Sequence, residues 1–186
     1  MSLIPAFEIG VLNAWILVIP LLIICFFDMR ATAARESGKS GNFQLSRNDK
    51  RIINAILLLM PISFIYAIFL PLQLGTIWLY SGLFIYIIGV VFSIVAVLNF
   101  TSSPQDKVIT EGLYSASRNP MYIGLLLILI GLGITCSSWL HLLFTLGLVI
   151  LLNANLSAEE RCCLYRYGDS YRQYMNRTPR WIGIPK

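Results

Sequence analysis

Histidine and cysteine are scarce in this chain and badly placed for chemistry. The one histidine, His141, opens the last apolar run beside a short turn, far from the basic segments, so histidine metal ligation and histidine acid-base catalysis are unavailable among those segments. The four cysteines (Cys25, Cys136, Cys162, Cys163) have no CxxC spacing. Cys25 lies within an apolar run, and adjacent Cys162 and Cys163 are poorly placed to bond each other. Neither a disulfide framework nor a zinc site is expected. Charge is sparse as well: 12% of positions are Asp, Glu, Lys or Arg and 57% are hydrophobic, whereas soluble domains carry about a quarter charged. A soluble domain is excluded, and the chain reads as an integral membrane protein.

Five apolar segments are measured against the roughly 20 residues that cross a bilayer core: 9–27, 52–72, 77–98, 121–135 and 139–156. The fourth is short, so one end is expected to stop inside the hydrocarbon layer. Lys and Arg are missing from every other connection. Six fall between Arg30 and Arg51, two are Lys107 and Arg118, and six run from Arg161 to Lys186. By the positive-inside rule this predicts an outside N-terminus, five transmembrane helices and a cytoplasmic C-terminus, with external turns at 73–76 and 136–138. Topology and lipid headgroups account for the net charge of +5, so nucleic acid is not an expected partner. Residues 1–10 have no basic n-region, and the first span is expected to persist in the mature protein.

The predicted fold is all-α: a single membrane domain, with three transmembrane helices in 1–98 and a catalytic half in 99–186. Pro20 and Pro61 are expected to kink their helices. Residues 35–47 read as a flexible polar loop. Small residues in the third and fourth spans (Gly82, Gly89, Ser93, Gly124, Gly131, Gly133) suit close helix packing. Hydrophobicity collapses from Asn99 to Asn119, with a turn at 102–105 and a short extended piece at 108–114. Asn119 is a good N-cap and Pro120 a good first helical residue, so the fourth span starts here and turns free N–H groups toward the preceding loop. Such an end suits a carboxylate or phosphate, and Arg118 and Lys107 add positive charge.

The last span is expected to run on as a helix to Tyr167, capped by Gly168. Asn155 and Glu159 share a helix face, and Glu160 is turned about 100° away. A carboxylate at the end of a membrane helix should meet water, a cation or a ligand. Glu160 is expected to pair with Arg161 or Arg166 or to be solvated. Tyr171, Tyr174 and Trp181, interleaved with Arg172, Arg177 and Arg180, read as interfacial anchors.

Taken together, Glu111 to Tyr114, Ser117 to Tyr122, Glu159 with Glu160, Tyr167 to Asp169, Tyr171 and Tyr174 resemble the isoprenylcysteine carboxyl methyltransferase and phospholipid methyltransferase superfamily, over roughly 99–182. The resemblance implies an S-adenosylmethionine-dependent membrane methyltransferase with a cofactor pocket between the loop, the last two helices and the C-terminal segment. It places cofactor contacts on Lys107, Val108, Ile109, Tyr114, Arg118, Asn119, Pro120, Met121, Tyr122 and Glu159, and catalytic roles on Glu159, Asn155 and Arg180. Relatives that methylate prenylcysteine carboxylates typically have His at Asn119 and Arg at Asn155. Loss of that Arg removes a bidentate carboxylate partner, which Arg180 is a candidate to replace.

The implied acceptor is a lipidic or small amphipathic molecule: a prenylcysteine carboxylate, a phospholipid amine or a thiol. Glu159, Glu160 and Tyr122 are the candidate proton acceptors. The expected location is a prokaryotic cytoplasmic membrane with the site facing the cytoplasm. Two other readings stay open, a nicotinamide-dependent reductase of sterol-reductase type and a non-enzymatic membrane protein.

Overall fold

The computed structural model describes residues 10, 12–37, 43–104 and 106–183. The expectations about residues 1–9, the tip of the polar loop at 38–42 and Gln105 lie outside the described residues. Seven helices form among the described residues: α1 (Trp15–Ser37), α2 (Arg47–Ile68), α3 (Ile77–Ser102), α4 (Leu113–Ala116), α5 (Pro120–Thr135), α6 (Trp139–Tyr167) and α7 (Asp169–Arg177). Among the described residues there is no named strand, only an isolated bridge between Asn13 and Pro71. Four helices (α1, α2, α3 and α6) are long and apolar enough to cross a membrane. At 16 residues, α5 is about 24 Å long against a hydrocarbon core of roughly 30 Å.

Local sequence sets most boundaries. Ser46 opens α2 with a capping box: its hydroxyl accepts from Asp49 N (3.1 Å) and Asp49 Oδ2 accepts from Ser46 N (3.0 Å). Pro120 occupies the first turn of α5 as expected. Gly168, at φ 57°, ends α6 and donates its N–H to Leu164 O at 2.9 Å. The first helix begins at Trp15, later than hydropathy implies, because residues 12–14 pair with 70–72 instead: Ala14 N donates to Leu70 O (2.9 Å) and Leu72 N to Leu12 O (3.2 Å). The piece at 108–114 is not extended. Residues 108–110 are irregular and Leu113 starts the one-turn α4.

The five long helices close a ring in which α1 packs on α3, α3 on α5, α5 on α6, α6 on α2 and α2 on α1. The tightest seam is α3 against α5, where the small residues sit back to back. A Cβ on Gly89 would lie 2.7 Å from Ile128 N, and one on Gly131 would lie 2.5 Å from Tyr86 N. Gly133 belongs to a different contact, facing Leu142 and His141 of α6. The buried apolar core (Val18, Leu21, Leu70, Leu129, Leu132, Leu148) fills one half of the ring. Its other end, at the C-termini of α1, α3 and α6 and the N-terminus of α5, gathers the polar groups.

Candidate functional site

A helix that carries no recognisable sequence pattern, α1, holds the polar end together. Arg35, on the last turns of α1 and buried, reaches the backbone where α3 gives way to the loop. Its guanidinium donates to Pro104 O (2.8 Å) and Lys107 O (2.6 Å), with longer contacts to Phe100 O (3.4 Å) and Ser103 O (3.5 Å). It also stacks over the Phe100 ring at 5.1 Å. Arg166 of α6 donates to Arg35 O at 2.5 Å. Hydrogen bonds to a charged donor contribute roughly 1.5–3 kcal/mol. Arg35→Met is therefore expected to cost about 2 kcal/mol in detergent unfolding and to speed amide exchange at Asp106 and Lys107, whereas unchanged exchange there would show that the loop holds itself.

Within the loop, Asn99 Oδ1 accepts from Leu113 N (3.0 Å). Gly112, at φ 61°, lies so close to the Asn99 side chain that no Cβ fits. Helix α4 then turns Tyr114 into the interior. Tyr174 of α7 closes over it, donating its hydroxyl to Tyr114 O at 2.6 Å. Burial pushes the phenols of Tyr114, Tyr171 and Tyr174 well above the usual tyrosine range. They stay protonated, so Tyr174 remains a donor at any working pH.

The start of α5 is tied to the C-terminal segment. Arg118 N donates to Pro179 O (3.0 Å), and Asn119 Nδ2 donates to Arg180 O (2.9 Å). Here the structure corrects an expectation: the Asn119 side chain makes no capping bond to α5. Its amide instead latches the segment that follows α7, and Ser117 Oγ accepts from Asn119 N at 3.0 Å.

The two glutamates have separate tasks. Glu159 Oε1 accepts from Tyr122 OH (2.5 Å) and from Asn155 Nδ2 (2.7 Å), so the shared face of Asn155 and Glu159 is a hydrogen-bonded unit. Glu160 does not pair with Arg161 or Arg166, nor is it solvated. It is 6% exposed and sits between Arg118 Nη1 (3.1 Å) and Arg180, whose Nε (3.1 Å) and Nη2 both donate to it. Arg161 turns the other way, to Asp49 of α2, at 2.8 and 2.9 Å. The charges assigned to Arg118 and Arg180 are thus balanced by Glu160.

These parts enclose a cavity of about 300 Å³, the lower end of the roughly 300–1,000 Å³ of small-molecule sites. Lys107, Val108, Ile109, Tyr114, Arg118, Asn119, Met121, Tyr122 and Glu159 all line it. Pro120 is buried beneath it; Asn155 stands behind Glu159, and neither Asn155 nor Arg180 lines it. Sequence reasoning missed Asp28, Thr32 and Arg35, which α1 contributes to the wall. The charges that directly follow the first apolar run, Asp28 above all, were the available signal. A wider groove of about 730 Å³ shares Lys107, Arg166 and Tyr174 with the cavity and continues over α7. Among the described residues no cluster of His, Cys, Asp or Glu could hold a metal ion.

The family model for phospholipid methyltransferases matches residues 74–170. A protein-S-isoprenylcysteine O-methyltransferase of Schizosaccharomyces pombe is 30% identical over 91 residues, which is 47% of this chain and 38% of that protein. The chain thus matches well under half the length of this curated relative. No solved structure matches. Since the matched segment takes in more than half of the 186 residues and contains the loop, the start of α5 and the Glu159 network, the chain belongs to the phospholipid methyltransferase family.

Proposed function

We propose that this integral membrane protein is an S-adenosylmethionine-dependent methyltransferase that binds its cofactor in the cavity between the loop, α5, α6 and α7. The observation that supports this reading most is the convergence of positions 107–109, 114, 118, 119, 121, 122 and 159, spread over some 50 residues of sequence, on one wall system. The wall also suits a zwitterionic ligand. Nε of Arg118 and Nε of Arg166 are buried without hydrogen-bond partners among the described residues, and Lys107 lies beside them. Unpaired buried donors of this kind fit a carboxylate.

When bound, the cofactor supplies a methyl group activated by a positively charged sulfur. The protein's own task is to align donor and acceptor and to exclude water, and no covalent nucleophile is needed. Tyr122 and Asn155 fix the Glu159 carboxylate from two sides. Tyr114, Tyr171 and Tyr174 shut the cavity with protonated phenols. Both glutamates line the cavity, but Glu160 is held by two arginines, which leaves Glu159 as the carboxylate that the neutral side chains of Tyr122 and Asn155 hold. Asn155 is engaged by Glu159 and Arg180 by Glu160, and the open guanidinium donors of the cavity, Nε of Arg118 and of Arg166, are the ones this reading assigns to the cofactor's carboxylate. The acceptor is accordingly a lipidic or amphipathic amine or thiol, reaching the site from the bilayer. In this reading all five long helices cross the membrane and the polar end faces the cytoplasm.

Calorimetry on detergent-purified protein tests the cofactor. S-adenosylmethionine and its demethylated product should both bind, and Glu159→Ala should weaken them about 10- to 30-fold, in line with the loss of a charge-assisted hydrogen bond. No heat from either nucleotide at millimolar concentration would end the methyltransferase reading. The acceptor needs a second measurement: membranes given a labelled methyl donor should yield label that survives mild base. Base-labile label, the mark of a methyl ester, would restore a carboxylate acceptor.

A further inference from the structure

Asp28 is the carboxylate of α1 that no part of the reading above uses. It lies within the stretch of α1 apolar enough to cross a membrane, where a carboxylate is costly and is retained for a reason. It lines the cavity, and so do Thr32, one turn on, and Arg35, nearly two turns on, which places all three on one face of α1. Arg35 is fully engaged with the loop carbonyls. Asp28 Oδ1, in contrast, is buried and has no hydrogen-bond partner among the described residues. A buried carboxylate oxygen without a donor gives the fold nothing and costs desolvation. The same cavity is lined by Arg118 and Arg166, whose Nε atoms are buried without hydrogen-bond partners among the described residues. The cavity therefore offers both unpartnered guanidinium donors and, on α1, a carboxylate awaiting a cation.

We propose that Asp28 is a cofactor-binding residue contributed by the first helix, and that its partner is a cationic group of the bound nucleotide. This assignment rests on the methyltransferase reading. S-adenosylmethionine carries two such groups, the α-ammonium and the sulfonium, while the demethylated product keeps the ammonium and has a neutral thioether. Comparing the two nucleotides locates the partner.

The test is calorimetric titration of wild-type protein and Asp28→Asn with both nucleotides, together with thermal melting of each protein in the absence of nucleotide. Asparagine keeps the size and removes the charge. The expected result is S-adenosylmethionine binding weakened tenfold or more, with an apo melting temperature equal to or above that of the wild type, since an uncompensated charge has been removed. Equal weakening of the product places Asp28 at the ammonium, and weakening confined to S-adenosylmethionine places it at the sulfonium. Both support the assignment. Binding of both nucleotides within twofold of wild type overturns it, as does a D28N protein that melts well below the wild type, which makes the carboxylate structural. If wild-type protein binds neither nucleotide, the methyltransferase reading and this assignment fall together; if wild type binds and D28N binds equally, only the assignment falls.

Discussion

Glu160→Ala is expected to destabilise the protein by about 3 kcal/mol or more and to release the segment after α7. Removing one partner of a buried ion pair typically costs about 3–5 kcal/mol because the remaining charge is stranded. Here the stranded group is Arg118, whose side chain is 10% exposed, while Arg180 at 32% can turn to water. That difference puts the expectation at the low end of the range. The geometric damage extends further than the charge. Arg118 N and Asn119 Nδ2 hold Pro179 O and Arg180 O, and Arg180 is pinned at its other end by Glu160. Without that carboxylate the guanidinium swings out and its backbone loses half its restraint. Thermal melting in detergent and limited proteolysis near residues 178–183 read the two effects. A double variant, Arg118→Met with Glu160→Leu, should recover most of the lost stability but not nucleotide binding. A single E160A variant within about 1 kcal/mol of wild type, with an intact protease pattern, would show that the cluster is solvated and dispensable.

The second large effect is expected at Gly131. A Cβ there would sit 2.5 Å from Tyr86 N and 2.7 Å from Tyr86 Cα, and both are backbone atoms that cannot rotate away. Valine at this position forces α5 away from α3, at an expected cost of at least about 3 kcal/mol, beyond the 1–3 typical of overpacking. The strain propagates in two directions. Tyr86 OH donates to Leu17 O at 2.7 Å, so moving α3 pulls on α1. Moving α5 shifts Tyr122, about two and a half turns away on the same helix, relative to Glu159. Gly131→Val should therefore lower both melting temperature and nucleotide affinity. Gly147→Ala is the control, because its new Cβ would meet only the flexible end of Leu59 at 3.2 Å. Wild-type melting of G131V would mean that the seam is looser than its contacts imply.

Legibility in the sequence follows the range of the interaction. Features set within one or two turns were readable: Pro120 at the first turn of α5, Gly168 at the end of α6, the Asn155–Glu159 face, and the small residues of the seam. The residues marked by the family resemblance form local strings, and most of them line one cavity. Interactions that cross the ring were not. Arg161 and Arg166 are nearer to Glu160 in sequence than Arg118 is, yet the helix turns Arg161 toward Asp49 and Arg166 toward Arg35 O, and spacing alone does not say which neighbour a face will meet. Asn119 shows the same limit. Its residue type favours a cap, but Arg180 O offers a better acceptor that is 61 residues away. Asp28 and Arg35 sit in a helix that repeats no family string, and only the closing of α1 onto α3 brings them to the site. Helix ends beside chain pairing were misjudged for a related reason: hydropathy registers apolar character at 9–14 but not the backbone bonds that hold residues 12–14 outside the helix.

The bonds from Tyr174, Pro179 and Arg180 back to residues 114–119 also set a schedule. Ribosomes deliver a chain in order, so the loop and all five long helices exist before the groups that close over them. Until residue 180 has emerged, Arg118 and Glu160 have each other but no lid, and the pocket has one wall missing. On the proposed reading, a nucleotide present during synthesis meets an open vestibule rather than a finished site. On the same reading, retention of the nucleotide waits on this last strap and reports, late, that the strap has folded down.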